Sequence, residues 1–398
     1  MVTGDVEIAS LIGRSRENRK TVKFGDVVRE VKEIVDRSTT DLDRYVAGGH
    51  MDSDDFHLRR WGTITEDYLG PAFHRLFKKG QILYGSRRTY LKKVSIAPFD
   101  GICANTTFVL ESADSDTLLP ELIPHIMLSE SFTSHAISKS RGSTNPYVVW
   151  NDIAAFEFPL PPKEEQRRIA EVLQACEESL ESYDHSTKNA SSLLTAIRRQ
   201  LFEEDACTHD SISLEQAGKW LSGGTPKRSN PDFWGGDFPW VSPKDMKCTL
   251  IQDSEEHITS LALKRRATVV NEGTLLMVIR GMILAHTFPV AIAGREVAFN
   301  QDMKALVVSE HFHQQYVFHW LKHNSMKLLK LVAESSHGTK RLPMQSVFEL
   351  QIPKPPLERQ NSVVETLEQC VSEIDGLEHH VQLTLRLKKH LLNHLLGQ

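Results

Sequence analysis

Pro159-Leu160-Pro161-Pro162-Lys163-Glu164-Glu165-Gln166 decides the reading of this chain because it occurs twice: Pro353-Lys354-Pro355-Pro356-Leu357-Glu358-Arg359-Gln360 repeats the pattern P-x-P-P-x-E-x-Q. Proline fixes φ and steers the residue before it away from helix, so each copy predicts an extended strap that stops where a helix begins. Glu164, Glu165 and Glu358 then fall in a first helical turn, where the dipole favours a carboxylate. Behind the first strap, Ile169, Leu173, Cys176, Leu180, Tyr183, Thr187, Ala190, Leu194, Ile197 and Leu201 recur at alternating steps of four and three, the a/d seam of a coiled coil. One constant offset lands on Val363, Leu367, Cys370, Ile374, Leu377, Val381, Thr384, Lys388, Leu391 and Leu395, with Lys388 the poor seam residue. At 1.5 Å per residue each run makes a helix of about 60 Å. So narrow an apolar stripe needs a partner to cover it. One such run would ordinarily be an amphipathic surface helix. Two matched runs behind matched straps point to the helices as each other's partners.

Working outward, 398 residues leave room for two or three domains with cores of their own. No apolar run approaches the ~20 residues that span a bilayer. The start of the chain is polar and carries Arg14, Arg16, Arg19, Lys20 and Lys23 without an apolar stretch, which argues against a secretory signal and for a flexible segment over residues 1–22. The cysteines (Cys103, Cys176, Cys207, Cys248, Cys370) are odd in number and lack C-x-x-C spacing. That pattern fits a reducing cytoplasm, with neither disulfides nor zinc. Net charge is −5, but its distribution says more than its sum. Acid collects on the helices at Glu177, Glu178, Glu181, Glu203, Glu204 and Asp205. Basic groups lie between them, at Arg59-Arg60, Lys78-Lys79, Arg87-Arg88, Lys92-Lys93, Lys264-Arg265-Arg266 and Lys340-Arg341, as phosphate contacts require.

The segments ahead of the two straps also match. Tyr45–Met51 reads as a strand running into a glycine turn, Gly80–Arg87 as a buried strand, and Val94–Ala97, Gly101–Asn105 and Thr107–Leu110 as further strands. Leu118–Ser134 has helical periodicity, Gly142–Asn145 forms a turn, and Tyr147–Trp150 a last strand. In the second half, Phe238–Met246 answers the Tyr45 strand, and Gly273–Arg280 answers Gly80–Arg87, with Arg280 matching Arg87. Gly294 and Asn300 answer Gly101 and Asn105, His313–Ala333 the helical stretch, and Gly338-Thr339-Lys340 the turn. The chain is two diverged copies of one unit. They differ most between Gly49 and Gly80 and between Lys247 and Gly273, which we read as variable recognition surfaces on a shared scaffold.

This organisation resembles the specificity subunit of type I restriction–modification systems over nearly the full length. The residues that carry the resemblance are the doubled strap with its helix, Ser222-Gly223-Gly224-Thr225-Pro226 continuing through Phe233-Trp234-Gly235-Gly236 to Pro239–Met246, and the glycine turn at Gly338 and Gly142. The first copy has Glu33–Ser38 where the second has S-G-G-T-P. The resemblance implies an α+β chain in which two similar mixed α/β target-recognition domains are separated by two long helices packed as an antiparallel coiled coil. It places recognition domains at 1–160 and 207–354 and spacer helices at 161–206 and 355–398. It implies a non-catalytic reader of double-stranded DNA whose domains each read half of a bipartite, asymmetric target. The helices would set the spacing and dock two modification subunits, which methylate adenine N6 with S-adenosylmethionine. Two motor-nuclease restriction subunits, using ATP and Mg²⁺, would join for cleavage. None of these cofactors would be bound by this chain.

Arginine reads guanine bidentately while lysine positions phosphates, so the candidate DNA contacts are Arg59, Arg60, Arg87, Arg88, Lys92 and Lys93 in copy one, and Lys264, Arg265, Arg266, Arg280, Lys340 and Arg341 in copy two. The rival readings are a metal-dependent endonuclease using Asp232, Asp245 and Lys247, and a coiled-coil scaffold without DNA contact. Asn230-Pro231-Asp232-Phe233 lacks the second proline of an adenine methyltransferase turn, and no glycine-rich cofactor loop precedes it. His319/His323 and His390/His394 have metal-friendly spacing without a third ligand and read as surface or seam residues. No P-loop, G-x-S-x-G or catalytic carboxylate pair is present in the sequence.

Overall fold

The computed structural model describes residues 19–36, 40–64, 69–264, 267–334 and 338–395. They form two compact units, one reaching to Tyr183 and taking in the residues from His380 onward, the other running Asp184–His379. The flexible start expected over residues 1–22 falls largely outside the described residues. The units divide the chain differently from the four expected segments, because each combines a globule with part of both long helices.

The first unit runs β1 (Lys20–Lys23), α1 (Phe24–Val27), β2 (Val28–Val31), β3 (Arg44–Val46), β4 (Gly62–Thr63), β5 (Phe73–Phe77), β6 (Ile82–Gly85), β7 (Val94–Ile96), β8 (Gly101–Ala104) and β9 (Thr107–Ser112). It continues through α2 (Leu122–Leu128), α3 (Glu130–Lys139), α4 (Trp150–Ala154) and β10 (Glu157–Leu160) into the long helix α5 (Lys163–Thr208). One sheet has the order β2-β9-β6-β7 and the other β4-β3-β8-β5, with β3 and β8 parallel.

The second unit runs β11 (Ser211–Ser213), β12 (Gly218–Ser222), β13 (Trp234–Val241), β14 (Leu250–Ile251), β15 (His257–Ile258), α6 (Ser260–Leu263), β16 (Val269–Val270), β17 (Leu275–Val278), β18 (Val290–Ala293), β19 (Val297–Phe299) and β20 (Met303–Val308). Then come α7 (Gln314–His323), α8 (Ser325–Lys330), β21 (Ala333–Glu334), β22 (Lys340–Arg341), α9 (Met344–Phe348), β23 (Gln351–Pro353) and the long helix α10 (Leu357–Leu395). Its sheets, β12-β20-β17-β18 with β14 as a fifth strand and β15-β13-β19-β16, repeat the first unit's order. The parallel pair recurs as β13 and β19.

The strap motif now has a physical account. Its first proline lies in a two-stranded ladder, Pro159 opposite Thr21 and Pro353 opposite Ser211, an edge setting where a missing N–H costs little. Its glutamine is buried and locks the helix start. Gln166 accepts from Leu119 N at 3.0 Å and donates to the carbonyls of Thr117 and Pro161, both at 2.9 Å. Gln360 accepts from His313 N at 2.7 Å and donates to the carbonyls of His311 at 3.0 Å and Pro355 at 2.8 Å. A carboxamide is the side chain that offers donors and an acceptor on one planar group.

The helices pair antiparallel within each unit. In the first, Ile169, Leu173 and Cys176 share a buried core with Leu391, Leu392 and Leu395. Glu177 meets Lys388 at 2.5 Å, and Tyr183 stacks on His380. Lys388 is therefore accommodated in the seam by a carboxylate, with its ammonium 5.6 Å from the Phe56 ring centroid. In the second unit Leu194 and Phe202 bury with Val363, Val364 and Leu367, and Ile197, Leu201, Cys370 and Ile374 pack against them half-buried. Asp205, fully buried, accepts from Arg359 Nε and from the Tyr316 hydroxyl, both at 2.9 Å. Arg198 donates to Nδ1 of His319 at 3.4 Å, and Nε2 of that ring lies 2.8 Å from Glu368. Leu180 and Leu377 are half-buried.

Three expectations are corrected. Leu118–Ser134 does not form one helix: the chain breaks at Ser129, whose hydroxyl caps α3 through Phe132 N. Tyr147 makes only isolated bridges, to Arg87 and Arg141, and Trp150 starts α4 rather than ending a strand, with Asp152 accepting from Val149 N at 3.0 Å. The ladder registers, Cys103 with Val46 and Phe299 with Val241, make Gly101 answer Val297 and Asn105 answer Gln301, not Gly294 and Asn300.

Candidate nucleic-acid interface

In the first unit, buried β6 delivers the segment Ser86–Lys93 to the surface. Arg87 bridges Tyr147, flanked by Arg88 N to Pro146 O at 2.7 Å and Val148 N to Ser86 O at 3.0 Å. A single 3-10 turn, Thr89–Leu91, follows between two left-handed residues, Arg88 (φ 52°) and Lys92 (φ 48°). Side-chain-bearing residues at positive φ cost of order 1 kcal/mol each and collect at working sites. Arg87 and Arg88 are exposed, and no carboxylate among the described residues pairs with either. The Arg87 guanidinium lies 5.9 Å from the Tyr147 ring centroid. Beside it opens a cleft of about 460 Å³ lined by Arg87, Asn105, Thr106, Tyr147, Trp150 and Asn151.

The other candidates of this unit are held by the protein. Lys92 lies 2.8 Å from Glu130 and 3.6 Å from Asp54, and Lys93 donates to the Gly48 carbonyl. Arg60 pairs with Asp52. Arg59 pairs with Asp55 and, at 3.4 Å, with Glu181 of α5. His57 shares the same two carboxylates, at 2.8 and 3.6 Å. The Asp55 hydrogen bond raises the His57 pKa above its ordinary value. Burial works against ionised Asp55, but its hydrogen bonds from His57 and Arg59 prevail and hold it well below the usual carboxylate range. Nearby His125 goes the other way. Burial, with Lys388 and His57 adding positive charge, pushes it down to about 3, and its Nδ1 has no partner among the described residues. Residues 55–59 are thus an anchor between the globule and the helix in this unit, a role their sequence did not signal.

The second unit builds the same junction with different side chains. Gly281 N donates to Lys340 O at 2.9 Å and Leu342 N to Ile279 O at 2.8 Å, which sets Arg280 opposite Arg341. Gly281, at φ 143°, takes the place of Arg88. The turn after it, Met282–Ala285, is apolar, and Met282 is 63% exposed. Arg280 and Arg341 are exposed and unpaired with any described carboxylate, whereas Lys340 lies 2.5 Å from Glu334. Lys264 is exposed beyond the end of α6. Arg265 and Arg266 lie outside the described residues.

The S-G-G-T-P motif is structural. A Cβ on Gly223 would come within 1.9 Å of the Asn300 carbonyl oxygen, so only glycine lets this segment run against β19. Gly224 N donates to Phe299 O at 2.9 Å, and its carbonyl accepts from Trp240 Nε1 at 3.0 Å. Arg228 stacks 3.9 Å from the Trp234 ring centroid and pairs with Glu256.

The endonuclease reading loses its residues to the same unit. Asp245 accepts from Ser242 N at 2.8 Å, Ser242 Oγ at 2.9 Å and Glu255 N at 2.7 Å, organising a turn. Lys247 pairs with Glu255 at 3.4 Å. Asp232 is exposed. Among the described residues no group of three metal-ligating side chains occurs. His319 is buried at the helix pair, where burial outweighs its Glu368 contact and lowers its pKa. His323 lies against Phe202, His390 is exposed, and the His394 side chain is outside the description.

The two units of one topology are matched by known proteins. The family model for the type I restriction modification DNA specificity domain fits residues 20–188 and again residues 210–386. The chain belongs to this family. A type I restriction enzyme specificity subunit of Escherichia coli is 30% identical over 177 residues, 43% of this chain and 44% of that one. A second, of Haemophilus influenzae, is 19% identical across 94% of this chain and 98% of the relative. The solved S subunit of a type I restriction–modification system from M. genitalium shares the fold at 15% identity with a TM-score of 0.60, covering 97% of this chain and 98% of that one. The alignment to the E. coli specificity subunit spans less than half of that relative's length. No described helix of this specificity-domain protein is long and apolar enough to cross a membrane.

Proposed function

We propose that this chain is the DNA-specificity subunit of a cytoplasmic type I restriction–modification complex and performs no catalysis itself. The repeated junction carries the reading: the same strand order twice, an arginine at the same strand end twice (Arg87, Arg280), and different residues around it each time. Two similar readers with unlike contact residues recognise an asymmetric, bipartite target, as paired DNA-binding modules do with separated half-sites. The partners are double-stranded DNA, two modification subunits that bind S-adenosylmethionine and methylate adenine N6, and two restriction subunits that use ATP and Mg²⁺. A target adenine has to leave the stack to be methylated, which is chemistry for those partners. Long helices α5 and α10 set the spacing between half-sites and dock the modification subunits.

Mapping methylated adenines in cells with and without this chain tests the reading. A single bipartite motif that disappears with the chain is the expected result, and methylation without sequence preference in the reconstituted complex overturns it. Arg87→Ala and Arg280→Ala are each expected to cost about 1–3 kcal/mol of discrimination at one base pair, in opposite half-sites. One heptad inserted into each long helix adds about 10 Å, so the gap should grow by roughly three base pairs at the ~3.4 Å rise along each strand, with both half-sites unchanged.

A further inference from the structure

The corrected register brings out a second matched position. The turn from β8 to β9 carries Asn105-Thr106, and the turn from β19 to β20 carries Gln301-Asp302. Each turn is tied to the arginine-bearing strand end by the same bond. The Thr106 carbonyl accepts from Ser86 N at 3.0 Å, and the Asp302 carbonyl accepts from Ile279 N at 2.9 Å and Arg280 N at 3.1 Å. The backbone thus sets a carboxamide residue beside each arginine-bearing strand end, Asn105 near Arg87, with which it shares a cleft, and Gln301 one residue before the Asp302 carbonyl that holds Arg280 N.

The Asn105 carboxamide has no structural task among the described residues, and that of Gln301 is only half used. Asparagine is often selected at turns because it tolerates positive φ, yet neither Asn105 nor Gln301 adopts one. Asn105 is exposed, makes no side-chain hydrogen bond among the described residues, and lines the cleft that also holds Arg87 and Tyr147. Gln301 is exposed. Its carbonyl oxygen accepts from the Thr225 hydroxyl, and its NH2 has no partner among the described residues. A carboxamide offers the donor and acceptor that match N7 and N6 of adenine, as a guanidinium matches O6 and N7 of guanine.

We propose that Asn105 and Gln301 are base-reading residues, each taking an adenine beside the guanine taken by Arg87 or Arg280, one such purine pair in each half-site. This assignment rests on the reading of the chain as a DNA-specificity subunit. The test uses the full chain reconstituted with its modification subunits and a set of duplexes carrying every base at each position of the wild-type motif. Asn105→Ala should lower the preference for one adenine in one half-site by roughly tenfold to a hundredfold and leave the other positions alone. Gln301→Ala should do the same in the other half-site. Asn105→Gln and Gln301→Asn, which keep the carboxamide, should retain the adenine. An unaltered motif in both alanine variants, or a loss spread evenly over all positions, overturns the assignment while leaving the subunit's general role intact. A wild-type complex without sequence preference overturns both.

Discussion

At the head of α5 stands Glu165, facing Arg19. At the head of α10 the same strap position holds Arg359, facing Asp205 at 2.9 Å. The charges have changed places while the helix start has not moved, because the neighbouring glutamine does the same work in both units. The Gln166 and Gln360 bonds run to backbone groups, which substitutions other than to proline leave in place, so they persist through divergence. Ion pairs between side chains can be inverted together. The junction shows the same division: its main-chain bonds coincide, while Arg88 gives way to Gly281 and Tyr147 to Arg341.

The widest test of this contrast is Gln360→Ala or Gln166→Ala. Each strands two carbonyls and an N–H in a buried site, at about 1–3 kcal/mol per group. A loss of about 4 kcal/mol is expected, confined to the unit that carries the change, as read by hydrogen exchange within that unit. Equal loosening of both units would break the comparison. Asp205→Ala leaves the Tyr316 hydroxyl without its acceptor and Arg359 with Glu204 alone, at 3.1 Å, and should cost the second unit about 3 kcal/mol in denaturant unfolding.

His125 sharpens the contrast through pH. Its folded pKa, about 3, lies below the ordinary 6.5, so its contribution is complete above 6.5 and is lost as pH falls toward 3. By pH 5 the first unit should have lost about 2 kcal/mol through this group, and His125→Leu should flatten that part of the acid limb. His57, raised by Asp55, contributes with the opposite sign: its stabilisation is complete below 6.5 and is lost as pH rises through its folded pKa. The smallest effect concerns the Lys388–Glu177 pair. Lys388→Ala alone should destabilise by about 1–2 kcal/mol, while replacing both residues with leucine should return the melting temperature to near that of the wild type.

The repeat and both helices were legible because proline, glycine and heptad spacing are local signals, and the strands flanking Arg87 and Arg280 were legible for the same reason. The reason for Gln166 was not, since its partners Thr117 and Leu119 are nearly fifty residues away. Matching letters misplaced Asn105, because Asn300 is one residue from its true counterpart and only the ladder register separates them. The basic pairs all looked alike in sequence. Distant carboxylates distinguish Arg59, bound to Glu181 of α5, from Arg87, which is left open.

The first compact unit is closed by Leu391, Leu392 and Leu395, so its two parts are translated about 200 residues apart. At a ribosomal pace of roughly 5–20 residues per second, its hydrophobic face waits some tens of seconds for its lid. The second unit is contiguous in the chain, and its own closing residues, Val363, Val364 and Leu367, are made only shortly before that lid. Chaperone demand during synthesis therefore falls on the N-terminal half, and a premature stop near residue 380 would damage the part of the protein made first.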